Sequence, residues 1–129
     1  MRSSRSLVAA AIGCGLLLAP ALARAQGDDD DEKKEARALM QSGLSLLRDK
    51  DYLGALAVFK DAYKRFPSPK ILLNIGTTQK QLGQNADAAN TYQRYLNDPD
   101  ADPARKVEVS AVLRQLDGGL ALLEIDVEP

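Results

Sequence analysis

The chain has 129 residues, a usual length for one domain, with 17 basic and 18 acidic residues and a net charge of −1. Its nearly balanced charge disfavours general nucleic-acid binding, which needs a basic footprint. It has no histidine and no tryptophan, and Cys14 is its single cysteine, so the commonest general base and metal ligand is missing.

The first 25 residues have the three-part layout of a secretory signal peptide. Two arginines precede an uncharged apolar run over residues 7–18, Pro20 ends that run, and Ala-Arg-Ala follows at residues 23–25. The run is shorter than the roughly 20 residues that cross a bilayer, which disfavours a permanent anchor. We therefore expect residues 1–25 to be removed, giving a periplasmic or secreted protein with no integral membrane span.

Cys14 offers an alternative form of export. The sequence Ala11-Ile12-Gly13-Cys14 resembles a bacterial lipobox, which would leave the chain lipid-anchored through Cys14. Ala11 stands where leucine is usual, however, and apolar residues continue to Leu18. Cleavage after Ala25 is thus favoured; it removes three of the 17 basic residues, leaving 14 against 18 acidic ones and a net charge of −4.

Residues 26–34 contain five consecutive acids, Asp28 to Glu32. Adjacent carboxylates repel one another, and few apolar groups accompany them, so we expect a disordered acidic linker. Calcium binding is the alternative, but no glycine-punctuated ligand loop follows the run.

Apolar side chains at three- and four-residue spacing predict five helices within residues 35–117. Asp51 can cap the second helix, and Ser68-Pro69 and Asp102-Pro103 can start the third and fifth. Gly118 and Gly119 are expected to end the fifth. Near-alternation from Leu120 to Val127 then predicts a short C-terminal strand, so residues 118–129 are either a loosely held tail or the start of a truncated β domain.

The helices repeat at a fixed offset, because a shift of 33 residues superposes Leu39 on Leu72, Gly43 on Gly76, Ala55 on Ala88, and Phe59 on Tyr92. One helix-turn-helix unit thus occurs about twice, and a third unit contributes its first helix. We expect Gly43 and Ala55 to let the two helix backbones of a unit approach closely, with Phe59 beside the crossing. Neither unit can bury its apolar face alone.

These residues resemble the tetratricopeptide repeat, a signature of 34 residues. The second copy departs from the family pattern at Gln79, Tyr95 and Pro99. The resemblance implies an all-α, antiparallel helix-turn-helix array of two repeats plus a fifth helix over residues 35–117; a plain helical bundle is the alternative. The repeat-defining residues are Leu39, Gly43, Ala55, Phe59, Ala62 and Pro67 in the first copy, and Leu72, Gly76, Ala88 and Tyr92 in the second.

A narrower resemblance involves the proline-bounded segment from Leu72 to Gly76 and the segment from Tyr92 to Leu96. Both are similar to exported tetratricopeptide proteins of Gram-negative bacteria, in many of which a PEGA-type β-sandwich follows the helices. The resemblance implies a periplasmic location and makes the segment from Leu120 to Pro129 similar to the first strand of such a module.

The family resemblance further implies that a peptide or protein partner binds in a concave groove lined by the first helix of each pair. Lysine and arginine there would bind carboxylates, while methionine and leucine would supply apolar contact. Carried over to this sequence, the groove positions are Arg37, Met40, Leu44, Leu47, Arg48, Lys70, Leu73, Asn74, Thr77, Lys80 and Gln81.

Some members of the family hold a peptide C-terminus with a Lys/Asn clamp. Asn74 matches one clamp position, but Met40 and Leu44 occupy two others, and Ala104 and Glu108 stand where basic residues are needed. Binding of that kind is therefore not expected.

The sequence offers no motif for catalysis: it contains no glycine-rich phosphate loop, no nucleophile elbow and no metal-ligand cluster. We predict a non-enzymatic protein without cofactor or metal. Two functions remain, an adaptor that binds an envelope protein and a self-associating structural spacer. An uncovered apolar face on the fifth helix, formed by Val109, Val112 and Leu116, would favour the spacer.

Overall fold

The computed structural model describes the backbone of residues 19–125 and the side chains of residues 27–119. Within that range the chain forms five helices, and each packs against the next along the chain. The predicted all-helical array is therefore confirmed. The helices are α1 (Ala19–Arg48), α2 (Tyr52–Arg65), α3 (Pro69–Gln81), α4 (Asn85–Asn97) and α5 (Pro103–Ile125).

Side-chain caps start three of the helices where the sequence predicts them. Asp51 Oδ1 accepts a hydrogen bond from Gly54 N at 2.9 Å, and Ser68 Oγ accepts one from Ile71 N at 3.4 Å. Asp102 Oδ1 accepts one from Ala104 N at 2.9 Å. These bonds satisfy N–H groups that the first turn of a helix leaves without a backbone partner.

The turns within the two helix pairs share one geometry. Lys50 and Gly83, which are 33 positions apart, both have positive φ, at 60° and 72°. In each turn the next residue donates five positions back, Asp51 N to Leu46 O and Gln84 N to Gln79 O, both at 2.9 Å. This is the Schellman ending, in which glycine carries no steric penalty and lysine does. The two repeats thus share the backbone conformation of their turns as well as their side-chain pattern.

The N-terminal part of α1 differs from the prediction. Residues 26–34, expected as a disordered linker, continue the helix, and the side chains of residues 27–35 are exposed. A helix pairs its backbone groups internally, so it can extend into solvent without a packing partner. Pro20 lies in the first turn, where the missing N–H has no consequence. Cys14 and the rest of residues 1–18 lie outside the described residues.

The C-terminal part of α5 also differs. The helix passes through Gly118 and Gly119, which were expected to end it, and continues to Ile125. The residues described therefore contain no strand at 120–125, and residues 126–129 lie outside them. An unpaired strand leaves its N–H and C=O groups without partners, whereas a helix pairs them internally. Each glycine costs the helix about 1 kcal/mol relative to alanine.

The core consists of two clusters on either side of α3. The α1–α3 cluster contains Ala55, Leu56, Phe59, Ala62, Ile71 and Ile75. The α3–α5 cluster contains Leu72, Ala88, Tyr92, Tyr95, Ala101, Val109 and Leu116. Tyr63 packs against both clusters. The two helix pairs therefore share one continuous interior, as stacked repeats require.

Glycine makes room for an aromatic ring in each pair. A Cβ placed on Gly43 would lie 2.7 Å from Phe59 Cδ1, and one on Gly76 would lie 2.8 Å from Tyr92 Cε1. The Phe59 ring occupies the space that a side chain at position 43 would need. Ala55 and Ala88, which are expected at the helix crossings, are fully buried.

A buried polar pair joins α3 to α4. Thr91 Oγ1 donates to Gln79 Oε1 at 2.7 Å, and both residues are buried. Gln79 departs from the family pattern, and this bond explains how a polar side chain is accommodated there, since burial without a partner would be costly.

None of the helices in the described part of the chain has the length and apolar character needed to cross a membrane.

Candidate functional site

Two adjacent grooves lie on either side of α3. The first groove, between α1 and α3, has a volume of about 610 Å³ and is lined by Lys33, Ala36, Arg37, Met40, Gln41, Leu44, Phe66, Ser68, Lys70 and Ile71. The second groove, between α3 and α5, has a volume of about 560 Å³ and is lined by Pro69, Lys70, Leu73, Asn74, Thr77, Tyr95, Asp100, Asp102 and Arg105. Lys70 contributes to both.

One face of α1 forms a wall of the first groove. Its residues recur every three or four positions, from Lys33 through Arg37 and Met40 to Leu44, and such positions share a helix face. The wall changes in character along its length, being basic near its start and apolar near its end. Leu44 remains 38% exposed, so the apolar part is accessible from solvent.

The opposite wall is the beginning of α3. Ser68 caps this helix, and Lys70 extends from its first turn. The Lys33 ammonium lies 5.7 Å from the centroid of the Phe66 ring, a cation–π distance that holds the lysine near the groove. Asn74 Nδ2 donates to Lys70 O at 3.2 Å and lies 3.6 Å from Met40 Sδ. Asn74 therefore connects α3 to α1 at the boundary between the grooves.

The first groove carries positive charge without an opposing carboxylate. Lys33, Arg37 and Lys70 line it, and no acidic residue is among its described lining side chains. Glu35, on the same helix, pairs instead with Arg65 of α2 at 2.9 Å. The N-terminus of α3 adds the partial positive charge of a helix start.

The second groove has mixed charge. Lys70 and Arg105 lie with Asp100 and Asp102, so the cations have carboxylates close by. Arg105 also pairs with Glu108 at 2.9 Å. The pKa of Tyr95 is raised, chiefly by burial and next by the negative charge of Asp102. Its phenol is therefore neutral at physiological pH and offers a hydrogen-bonding group rather than a charge.

Seven of the predicted groove residues line these two grooves. Arg37, Met40, Leu44 and Lys70 line the first, and Leu73, Asn74 and Thr77 join Lys70 in the second. Leu47 packs against the α1–α3 cluster instead. Arg48, Lys80 and Gln81 are exposed at the C-terminal ends of α1 and α3 and line neither groove.

Sequence reasoning missed Lys33, Phe66, Tyr95 and Arg105 as lining residues. Lys33 lies one turn before Arg37 and would follow from the same helical spacing, but α1 was predicted to begin only at Glu35. In the sequence, Phe66 lies at the end of a helix and Tyr95 lies on an apolar helix face. Their position at a groove could not be predicted, because it depends on how separate helices pack.

The apolar face of α5 that would have favoured self-stacking is covered. Val109 and Leu116 are buried, and Val112 packs against the same cluster. Residues of α4 pack against this face. The described residues therefore show no uncovered apolar face at Val109, Val112 and Leu116, which is the feature that would have favoured a structural spacer.

A family model described as the tetratricopeptide repeat matches residues 37–69 and residues 71–101. Each matched segment contains the C-terminal part of one helix and the whole of the next. No curated protein and no solved structure matches the chain. The prediction of two repeats is therefore confirmed, while the exported context and the β-sandwich remain predictions.

Proposed function

Because residues 37–69 and 71–101 are tetratricopeptide repeats, we propose that the protein is an exported, non-catalytic module that binds a segment of a protein partner along α1, α3 and α5. Repeats of this kind generally mediate protein–protein interaction. Stacked helix pairs provide an extended concave surface for the purpose.

The observation that carries this proposal is the pair of grooves. Accessible apolar groups, Leu44 among them, lie beside the cations of Lys33, Arg37 and Lys70. Binding interfaces combine such apolar anchors with charged groups that recognise carboxylates or backbone carbonyls.

The positive charge of the first groove predicts that charge reversal there weakens partner binding. Arg37→Glu combined with Lys70→Glu should reduce capture of envelope proteins by about tenfold or more, because each change replaces an attraction by a repulsion. The matched control is Arg48→Glu with Lys80→Glu, which changes the same charges on the same two helices outside both grooves. Capture is measured by quantitative pull-down from an envelope extract.

Both double variants should melt within a few degrees of the parent protein, because exposed substitutions change stability by about 0.5 kcal/mol or less. Equal capture by the two double variants would rule out these grooves as the binding surface.

Export is supported by the layout of residues 1–25. Expression of the full chain in a Gram-negative bacterium should give a periplasmic product that begins at Gln26, as measured by intact mass after cell fractionation. Cys14→Ser should leave that product unchanged. A membrane-associated product that carries lipid and is lost in Cys14→Ser would instead establish the lipid anchor, and a cytosolic, full-length product would contradict export altogether.

A further inference from the structure

We propose that the first groove selects a partner segment in which one or two acidic residues lie two or three positions from a large apolar side chain. The acidic part would bind at Arg37 and Lys70, and the apolar part at Met40 and Leu44. This inference rests on the proposed function and specifies its ligand class.

The charge of the first groove supports the acidic component. Three cations line it without a carboxylate, whereas the cations of the second groove are accompanied by Asp100 and Asp102. An acidic side chain bound at Arg37 and Lys70 in the first groove therefore has no carboxylate among the lining residues beside it. Charge-assisted hydrogen bonds to lysine or arginine are also stronger than neutral ones.

The acidic run at Asp28–Glu32 limits how many acidic residues the ligand can carry. It precedes Lys33 on the same helix, and its side chains are exposed. A ligand that extended its own acidic residues beyond Lys33 would meet like charges there. The site therefore favours a short acidic element at Arg37 and Lys70 over a long polyacidic one.

The apolar end of the groove supports the second component. Met40 is half-buried and Leu44 is 38% exposed, so a partner side chain placed there would remove apolar surface from water. Arg37 and Leu44 are seven positions apart on α1, about 10 Å along a helix axis. About three residues of extended chain span that distance, which fixes the spacing in the proposed ligand.

Fluorescence anisotropy with labelled synthetic peptides tests the inference on the purified protein. The reference peptide carries one glutamate three positions before a leucine in a neutral, flexible background. Companion peptides replace the glutamate by glutamine or lysine, or the leucine by serine. A further peptide has the sequence of residues 26–34 and stands for the acidic run of a second copy of this chain.

The reference peptide should bind about tenfold more tightly than its glutamine form, the effect expected of one charge-assisted hydrogen bond. Arg37→Gln should remove most of this preference, while Arg48→Gln should preserve it. The preference should also shrink as salt is raised, because exposed charges are screened. The serine form should bind more weakly than the reference.

Equal binding of the glutamate and glutamine peptides, or no binding of either, would overturn the ligand class. If the charge-reversal pull-down still succeeds, the proposed function would stand. Binding of the 26–34 peptide as tight as that of the reference would overturn the apolar component and indicate a second copy as the occupant. An equal loss of glutamate and glutamine peptides in Arg37→Gln would show that Arg37 positions the groove rather than recognising charge.

Discussion

Phe59→Ala should lower the free energy of unfolding by about 3–5 kcal/mol, the usual cost of removing a buried aromatic ring. The Phe59 side chain is 0% exposed and belongs to the α1–α3 cluster. Its ring fills the space over Gly43, so its removal leaves a cavity on the surface by which α1 and α2 pair. Urea unfolding followed by helical circular dichroism measures the loss.

A domain of this size has a total stability of about 5–15 kcal/mol, so the variant should be close to unfolding at physiological temperature. Lys60→Ala is the matched control, because Lys60 is the next residue of α2 and is exposed. It should change stability by about 0.5 kcal/mol or less. If the two variants unfold at the same urea concentration, Phe59 does not hold the first helix pair together.

Ala88→Leu should destabilise the protein by about 1–3 kcal/mol, because extra methylene groups have no room in a close-packed interior. Ala88 is 0% exposed and lies in the α3–α5 cluster with Tyr92. Accommodating leucine requires α4 to shift from its neighbours. Thermal and urea unfolding of the variant would both report the change.

Ala86→Leu separates crowding from an effect of leucine itself. Ala86 is an exposed residue of the same helix, so leucine there meets no neighbour and changes helix propensity little. Stability near that of the parent is expected for Ala86→Leu. An Ala88→Leu variant as stable as this control would show that Ala88 does not lie at a close helix crossing.

Much of the fold could be predicted from local signals. Helical periodicity located α2, α3 and α4, and the caps Asp51, Ser68 and Asp102 defined three helix starts. The outer ends of α1 and α5 could not be placed in the same way. The sequence has an acidic run at the outer end of α1 and a glycine pair near the outer end of α5. Both features weaken a helix without forbidding it, and the chain is helical at both places.

Part of the candidate site could also be predicted from the spacing of residues in the sequence. The 33-residue register aligns Arg37 with Lys70, and both line the first groove. The same register aligns Arg48 with Gln81, and these two residues line neither groove. A helix face repeats along its whole length, whereas a groove has ends. Those ends depend on where α1 and α3 meet, as at Met40 and Asn74.

The hydrogen bond between Thr91 and Gln79 has a consequence for how the chain folds. In the 33-residue register, the equivalent residues of the first repeat are Val58 and Leu46, which are apolar. Two helix pairs with the same geometry could exchange partners during folding. If α3 took the position of α1 beside α2, or α4 the position of α2 beside α1, a buried amide or hydroxyl would face a hydrocarbon and lose its bond, at a cost of about 1–3 kcal/mol. We therefore expect the polar pair to favour pairing of α3 with α4 over these exchanges.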